Sequence, residues 1–150
     1  MRIGILGVGG MGNVHARQYR KMPDVELRFY DLDAERSAAF AERWQSEPES
    51  SPDDLVSWAD VVDVCLPTDA HKDAAMRTIA SGRALFMEKP LARTLEDAGE
   101  ILQAAEKAGV PLGVGHVVRY FPEFRTGHGV VENGGIGRPA AARTRRGGAA

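Results

Sequence analysis

A short apolar run near the N-terminus passes directly into a cluster of glycines, and this junction restricts the fold more than any other feature. Residues 3–6 are typical of a strand, and Gly7-Val8-Gly9-Gly10-Met11-Gly12 then fits the spacing G-x-G-x-x-G. Between a strand and a helix, such glycines permit a tight turn, close approach of the backbone to a pyrophosphate, and close helix–strand packing. We therefore predict a dinucleotide site formed by Gly7, Gly9, Gly10, Met11 and Gly12. The alternative is a glycine-rich turn without a ligand.

Most of the chain alternates short β-branched runs with longer helical ones. Further strands are predicted at 25–30, 61–66, 84–87 and 112–118, with a weak one within 45–51. Helices are predicted at 11–22, 34–44, 53–58, 70–81 and 95–108, where Asp33 and Thr94 are candidate N-caps and Gly82 and Gly109 candidate stops. This alternation predicts an α/β fold, a Rossmann-type doubly wound and mostly parallel sheet with helices on both faces.

The last thirty residues differ in composition. Five glycines fall within residues 121–137, which predicts a poor helix, and residues 139–146 resemble a strand that begins shortly before the chain stops. Because a natural domain seldom finishes on an opening strand, we expect a truncated chain. The predicted organisation is a dinucleotide-binding domain over 1–118, then a crossover and the truncated start of a second α/β domain over 119–150.

Charge and cysteine content exclude several classes of protein. The 19 basic and 21 acidic side chains leave a net charge of -2, and no basic stripe precedes the last few residues, so neither nucleic acid nor a membrane surface is an expected partner. Cys65 is the single cysteine, which excludes an intrachain disulfide and favours a buried strand residue. Without a signal peptide or an apolar stretch of about 20 residues, we expect a cytoplasmic protein, and we expect no metal site.

An acidic residue follows the second predicted strand. Asp31 lies 19 residues beyond Gly12, near the spacing of about 20 at which a carboxylate accepts hydrogen bonds from the adenosine ribose. Its charge would repel a 2′-phosphate, as would that of Asp33, so we predict NAD in preference to NADP. Arg36 opposes this prediction because it could reach such a phosphate. The alternative for both acids is that they cap the next helix.

Two further polar loops follow predicted strands, at the sheet edge where ligands bind in open α/β folds. Pro67-Thr68-Asp69-Ala70-His71 offers a hydroxyl and an imidazole, although the same residues could form a helix N-cap. Glu88-Lys89-Pro90 offers a lysine that could act as a general acid or base. Taken alone, Lys89 is more typical of an exposed loop lysine than of a catalytic one.

Five segments together resemble the Gfo/Idh/MocA oxidoreductases, whose members include glucose–fructose oxidoreductase and inositol dehydrogenase. The segments are RIGILGVGGMG, FYDLD, VVDVCLPTDAH, ALFMEKPLART and GVGHVVRYFPEF, in family order across residues 2–125. The resemblance implies that Lys89 takes part in proton transfer beside the nicotinamide, often with a cis Lys89–Pro90 bond. It also implies that the cofactor is lined by Leu66, Pro67, Thr68, His71, Glu88 and Lys89. His116 and Arg119 would face the substrate.

The implied activity is oxidation of a hydroxyl on a sugar, cyclitol or similar polyol, with hydride passing to NAD. In the family, a second α/β domain supplies much of the substrate pocket, the homo-oligomer interface, and an Asp and a His that complete catalysis. One alternative is a dinucleotide-binding fragment or sensor module without catalysis, and another is a truncated reading frame without stable function. A third, S-adenosylmethionine-dependent methyl transfer, is disfavoured by the glycine spacing and by Glu88-Lys89-Pro90.

Overall fold

The computed structural model describes residues 1–144. The chain divides into two units, Met1–Gly115 and His116–Ala150. The strands of the first unit are β1 (Arg2–Leu6), β2 (Glu26–Tyr30), β3 (Glu47–Pro48), β4 (Val61–Val64), β5 (Ala84–Met87) and β6 (Leu112–Val114). Its helices are α1 (Gly10–Tyr19), α2 (Ala34–Trp44), α3 (Pro52–Trp58), α4 (His71–Ala80) and α5 (Leu95–Ala108).

The six strands form one parallel sheet in the order β3-β2-β1-β4-β5-β6. The chain winds outward from β1 to β3, returns to β4 beside β1, and winds outward again to β6. This is the doubly wound Rossmann order, and it confirms the predicted fold class. The order reverses between β1 and β4, so the loops after these two strands flank the crevice where ligands bind in such sheets.

Two apolar clusters cover the two faces of the sheet. One joins β1 and β2 to α1 and α2 around Ile5, Phe29 and Phe40. The other joins β4 and β5 to the three later helices, around residues such as Leu55 and Ile101. The helices therefore pack on both faces, as the alternating pattern predicts, and the central strands β1 and β4 are buried beyond their first residue.

The predicted helix ends agree with the structure at several positions. Asp33 and Thr94 each accept a hydrogen bond from the backbone N–H three residues later. Gly109 ends α5 with a φ of 66°, and Gly82 follows α4 with a φ of 67°. The two N-caps fix where α2 and α5 begin, and the two glycines fix where α4 and α5 end.

Some predicted boundaries need correction. The weak third strand exists, but it has two residues and carries Pro48 at the sheet edge, where a missing N–H is tolerated. Helix α1 ends at Tyr19 rather than at residue 22. Strand β6 ends at Val114 rather than at residue 118, and a 3-10 turn, Val117–Tyr120, follows in the second unit.

The second unit contains a helix, α6 (Pro122–Glu132), where a poor helix was predicted. Pro122 suits the first helical position, and only Gly127 and Gly129 lie inside the helix. Gly134 and Gly137 come after it and adopt positive φ. Each internal glycine costs roughly 0.8–1 kcal/mol relative to alanine, which this helix tolerates.

The expected strand over 139–146 is not found in the part that can be described. Residues 139–144 have no regular secondary structure, and residues 145 and 146 lie outside the described residues. Over the described chain, the helices are too short or too polar to span a membrane.

Candidate functional site

Four strands bring their carboxyl ends together at one edge of the sheet. Parallel hydrogen bonding continues one residue beyond the strands, through three backbone bonds: Gly7 N–H to Tyr30 O (2.9 Å), Cys65 N–H to Leu6 O (2.8 Å) and Glu88 N–H to Val64 O (3.0 Å). The loops after β1, β2, β4 and β5 are therefore in register with one another. These are the loops that carry the residues predicted to bind a dinucleotide.

The glycine turn after β1 has no room for side chains at two positions. Gly7 has a φ of +88°, and a Cβ there would lie 2.9 Å from the Cys65 carbonyl oxygen. A Cβ on Gly12 would lie 2.4 Å from the Gly7 carbonyl oxygen. Because both obstacles are backbone atoms, α1 can approach β1 this closely only with glycine at these positions. Gly9 and Gly10 instead face open space, which leaves room for a ligand against the backbone.

The first turn of α1 presents its backbone N–H groups at this turn. The first intrahelical bond runs from Asn13 N–H to Gly9 O, so the amides of Gly10, Met11 and Gly12 have no helical partner. No acidic side chain lies in this first turn, and Gly9 provides no side-chain cap. The positive end of the helix dipole and these free donors suit an anionic group such as a pyrophosphate.

Asn13 supports the glycine turn and was missed by the sequence analysis. Its side-chain amide donates to the carbonyl oxygens of Val8 and Gly9, both at 3.0 Å, and its own oxygen accepts from Trp44 Nε1 at 2.8 Å. The turn is therefore braced from inside α1 and from α2. An asparagine directly after the last motif glycine was the available sequence signal.

Asp31 lies beside the glycine turn and binds it directly. One carboxylate oxygen accepts from Val8 N–H at 2.8 Å, and the other accepts from Asp33 N–H at 2.9 Å. Arg36 lies 3.6 Å from the Asp31 carboxylate and 3.2 Å from that of Asp33. Asp33 also caps α2, and the hydrogen bond from Arg36 N–H holds its pKa below the usual value. For Asp33, the capping alternative is therefore observed.

The loop after β4 is tied to the loop after β5 by His71. This imidazole is buried, with Nδ1 at 2.9 Å from Pro90 O and Nε2 at 2.9 Å from Leu66 O. Pro67 is exposed and Thr68, which begins a 3-10 turn, is half-buried. Both His71 ring nitrogens thus face backbone carbonyls.

The loop after β5 presents a lysine next to a buried glutamate. Glu88 is 7% exposed, and its Oε2 accepts from Lys89 N–H at 3.1 Å. The Lys89 side chain is exposed and forms no ion pair within the described residues. The Lys89–Pro90 bond is cis, as the family resemblance implies.

A cluster of ionisable side chains joins α1, β4 and the loops after β4 and β5, and it was not among the predicted sites. We call it the His15 cluster; its members are His15 and Tyr19 of α1, Asp63 of β4, Cys65, and Glu88. Asp63 is fully buried and accepts hydrogen bonds from His15 Nδ1 at 2.8 Å and Tyr19 OH at 2.7 Å. A carboxylate in an otherwise apolar strand needs such partners, so Asp63 within Val61-Val62-Asp63-Val64 was the sequence signal.

The two predicted substrate-facing residues belong to the second unit. His116 is exposed and precedes the 3-10 turn, and Arg119 lies exposed within it. Arg119 also lines an open cavity of about 810 Å³ together with residues of α6, among them Phe124 and His128.

Comparison with known proteins connects this geometry to a family. Residues 1–116 match the Gfo/Idh/MocA family, described as an oxidoreductase family with an NAD-binding Rossmann fold. The chain is 34% identical over 148 residues to inositol 2-dehydrogenase 3 of Saccharopolyspora erythraea, covering 95% of this chain and 44% of that protein. It is 41% identical over 113 residues to 1,5-anhydro-D-fructose reductase of Ensifer adhaerens, covering 73% of this chain and 34% of that protein.

A solved structure of a dehydrogenase is also similar to this chain. The WlbA dehydrogenase of Bordetella pertussis, in complex with NADH and UDP-GlcNAcA, is similar with a TM-score of 0.86 and 27% identity. That alignment covers 92% of this chain and 41% of the dehydrogenase. The chain thus spans between 34% and 44% of the length of these three relatives. From its matched residues and its sheet order, the chain belongs to the Gfo/Idh/MocA family of NAD(P)-binding Rossmann oxidoreductases.

Proposed function

We propose that this chain binds NAD and, within its whole protein, serves hydride transfer between the nicotinamide and a hydroxyl carbon of a sugar, cyclitol or similar polyol. The observation that carries the proposal is the register of the loops at one sheet edge. The glycine turn, Asp31 and the Glu88-Lys89-Pro90 turn all follow strands that end at this edge. Bound NAD supplies the hydride acceptor, while the residues of this chain bind, orient and exchange a proton.

Three parts of the edge suit three parts of the cofactor. The free amides of Gly10, Met11 and Gly12, with open space at Gly9, suit the pyrophosphate. Asp31, at the end of β2, suits the adenosine ribose. On the other side of β1, Leu66, Pro67 and Thr68 and the pair Glu88 and Lys89 would line the nicotinamide half, with His71 supporting both loops from within.

A preference for NAD over NADP follows from the charges at Asp31. A 2′-phosphate would approach the carboxylates of Asp31 and Asp33, and both repel it. Arg36 already contacts both carboxylates, at 3.6 Å and 3.2 Å, so they compensate part of the positive charge that it could offer to a phosphate. The arrangement therefore favours a ribose with a free 2′-hydroxyl, which Asp31 can accept as a hydrogen-bond donor.

Lys89 is the proposed proton-transfer residue. Oxidation of a carbinol releases a hydride from carbon and a proton from oxygen, and a general base beside the nicotinamide takes up that proton. The exposed side chain of Lys89, without an ion pair among the described residues, is available for this role. Dehydrogenases or reductases of polyols and sugars among the relatives support this substrate class.

The substrate half of the proposal concerns the whole protein, because the chain spans 34% to 44% of its relatives. His116 and Arg119 are proposed substrate contacts, and homo-oligomerisation through a second domain is the proposed assembly. The second candidate function is a dinucleotide-binding module without catalysis. It is favoured by the fact that the first unit alone contains every predicted cofactor residue, from Gly7 to Lys89.

The test is a thermal melt of the chain with NAD, NADP or S-adenosylmethionine. At about 100 times its dissociation constant, a ligand of the folded state adds about 2.7 kcal/mol, a shift of several degrees for a domain of this size. Gly9→Ala should lower the melting temperature of the free protein only slightly, because its Cβ enters open space although alanine is a weaker N-cap than glycine, and it should lose the NAD shift. Gly99→Ala in α5, also facing open space, is the matched control and should keep the shift.

Two results would overturn the proposal. One is a cooperative melt that no dinucleotide shifts, and the other is a Gly9→Ala protein that responds to NAD like the parent. A larger shift with NADP than with NAD would contradict only the cofactor preference.

A further inference from the structure

His15 lies between two buried carboxylates. Its Nδ1 is 2.8 Å from Asp63 Oδ2, and its Nε2 is 3.2 Å from Glu88 Oε1. A neutral imidazole has one N–H and can donate to only one of them, whereas the imidazolium carries an N–H on each nitrogen and faces a carboxylate with both. One cation shared between two carboxylates also reduces the free-energy cost of burying two negative charges.

The charges around His15 favour its protonated form. Burial lowers the pKa of His15, but the hydrogen bond and charge of Asp63, together with Glu88, outweigh it and raise the pKa above 6.5. The other groups that face the ring stay neutral. Burial and the charge of Asp63 raise the pKa of the Tyr19 phenol and of the Cys65 thiol. The Phe86 ring covers another side of the imidazole, with centroids 5.8 Å apart.

These contacts are typical of a hydrogen-bonded network and not of a metal site without its ion. Ligand-type atoms of His15, Asp63 and Cys65 lie within 4.8 Å of one another. However, His15 Nδ1 and Asp63 Oδ2 are 2.8 Å apart, whereas two ligands held at about 2.0–2.1 Å by a tetrahedral zinc ion lie about 3.3 Å apart. The 2.8 Å separation is that of a hydrogen bond.

The network reaches Lys89 through Glu88. One oxygen of Glu88 faces His15, and the other accepts the backbone N–H of Lys89 at 3.1 Å. Gly115 lies against the same carboxylate, where a Cβ would be 3.0 Å from Oε1. Both oxygens of Glu88 are therefore engaged and little space is left for the carboxylate to rotate.

We propose that His15 is a positioning residue whose imidazolium fixes the Glu88 carboxylate and thereby holds the Lys89 turn against the cofactor helix α1. Loss of the His15 charge removes a donor from one buried carboxylate and releases the backbone N–H bond that orients Lys89. The significance for proton transfer rests on the proposed function of Lys89. The structural coupling itself, from α1 to the turn after β5, stands independently of any ligand.

The first experiment uses the unmodified chain without ligand. Imidazole resonances of His15 and the backbone amide resonance of Lys89 are followed by NMR against pH. We expect the Lys89 amide to shift with the midpoint of the His15 titration. His71 must be assigned separately, by His71→Gln, because its ring faces the Pro90 carbonyl. A Lys89 amide that shows no step at the His15 midpoint would overturn the proposal, and this readout does not depend on any variant folding.

The second experiment compares two variants of the same cluster. His15→Gln removes the charge and one donor, while Tyr19→Phe removes a bond to Asp63 and leaves the His15–Glu88 contact. Trace acetylation of the folded chain, analysed by peptide mass spectrometry, gives the reactivity of Lys89 relative to exposed Lys107 of α5. We expect His15→Gln to lose the amide step and change the Lys89 to Lys107 ratio, and Tyr19→Phe to change neither.

A folded His15→Gln protein with the parent's amide step and labelling ratio would refute the positioning role. The outcome for NAD is read separately, by adding NAD to the same samples. Coupling without any response of Lys89 to NAD would contradict the proposed function while leaving the His15 network intact. A response of Lys89 to NAD without coupling to His15 would contradict the positioning role of His15 and leave the proposed function intact.

Discussion

His15 and His71 support opposite sides of the same lysine but use different partners. His15 contacts Glu88, the residue before Lys89, and His71 contacts the carbonyl of Pro90, the residue after it. The ring of His15 is shared between two carboxylates, whereas that of His71 is shared between two backbone carbonyls. One side of the turn is therefore held by charge and the other by neutral dipoles. Removal of the ring should therefore leave unpaired buried charges only on the His15 side.

The largest expected effect is on the charged side. His15→Leu leaves two buried carboxylates without their cation, and breaking a buried pair in this way costs about 3–5 kcal/mol. The raised pKa of His15 sets the pH dependence: its contribution is complete below pH 6.5 and is lost as pH rises through the folded-state pKa. Denaturant unfolding of the parent and the variant from pH 5 to 9 measures the loss of stability and its pH dependence. Curves for parent and variant that stay equally far apart at every pH would contradict a charge-based role.

A smaller effect is expected on the neutral side. His71→Leu removes the ring that contacts the carbonyls of Leu66 and Pro90, and leaving a buried carbonyl without a donor costs about 1–3 kcal/mol. The same unfolding experiment gives the loss, with Thr78→Val in α4 as a control that removes a hydroxyl bonded only to its own helix. If His71→Leu proved more destabilising than His15→Leu, the contrast between charged and neutral support would be wrong.

The fold could be predicted because its signals are local. Glycine spacing after the first strand, the position of Asp31 and the alternation of strands and helices each lie within a short segment. Helix α6 shows the limit of local signals. Residues 121–137 contain five glycines, but only two of them fall within the helix. Composition over a window does not locate a helix boundary, whereas Pro122 does.

The candidate site could be predicted only in outline. Its loops follow strands, so topology alone brings Gly7, Asp31 and Lys89 to one edge. The His15 cluster could not be predicted in the same way, because it joins α1, β4 and the turn after β5, which are distant in sequence. His71 illustrates the same point: its residue type suggested a ligand contact, but tertiary packing gives both of its nitrogens to backbone carbonyls.

The smallest expected effect concerns Cys65, which belongs to the charged cluster without carrying its charge. The thiol lies 3.5 Å from Asp63 Oδ1 and 3.3 Å from His15 Nδ1, and burial followed by the charge of Asp63 raises its pKa. It is therefore neutral and a weak donor, so Cys65→Ala should cost less than about 1.5 kcal/mol, the upper range for one ordinary hydrogen bond. Alkylation of the folded parent by iodoacetamide at pH 8 should also be much slower than that of the unfolded chain, because the thiolate is the reactive form. A loss from Cys65→Ala as large as that from His15→Leu would mean that packing of the whole cluster, and not the imidazolium, supports the Lys89 turn.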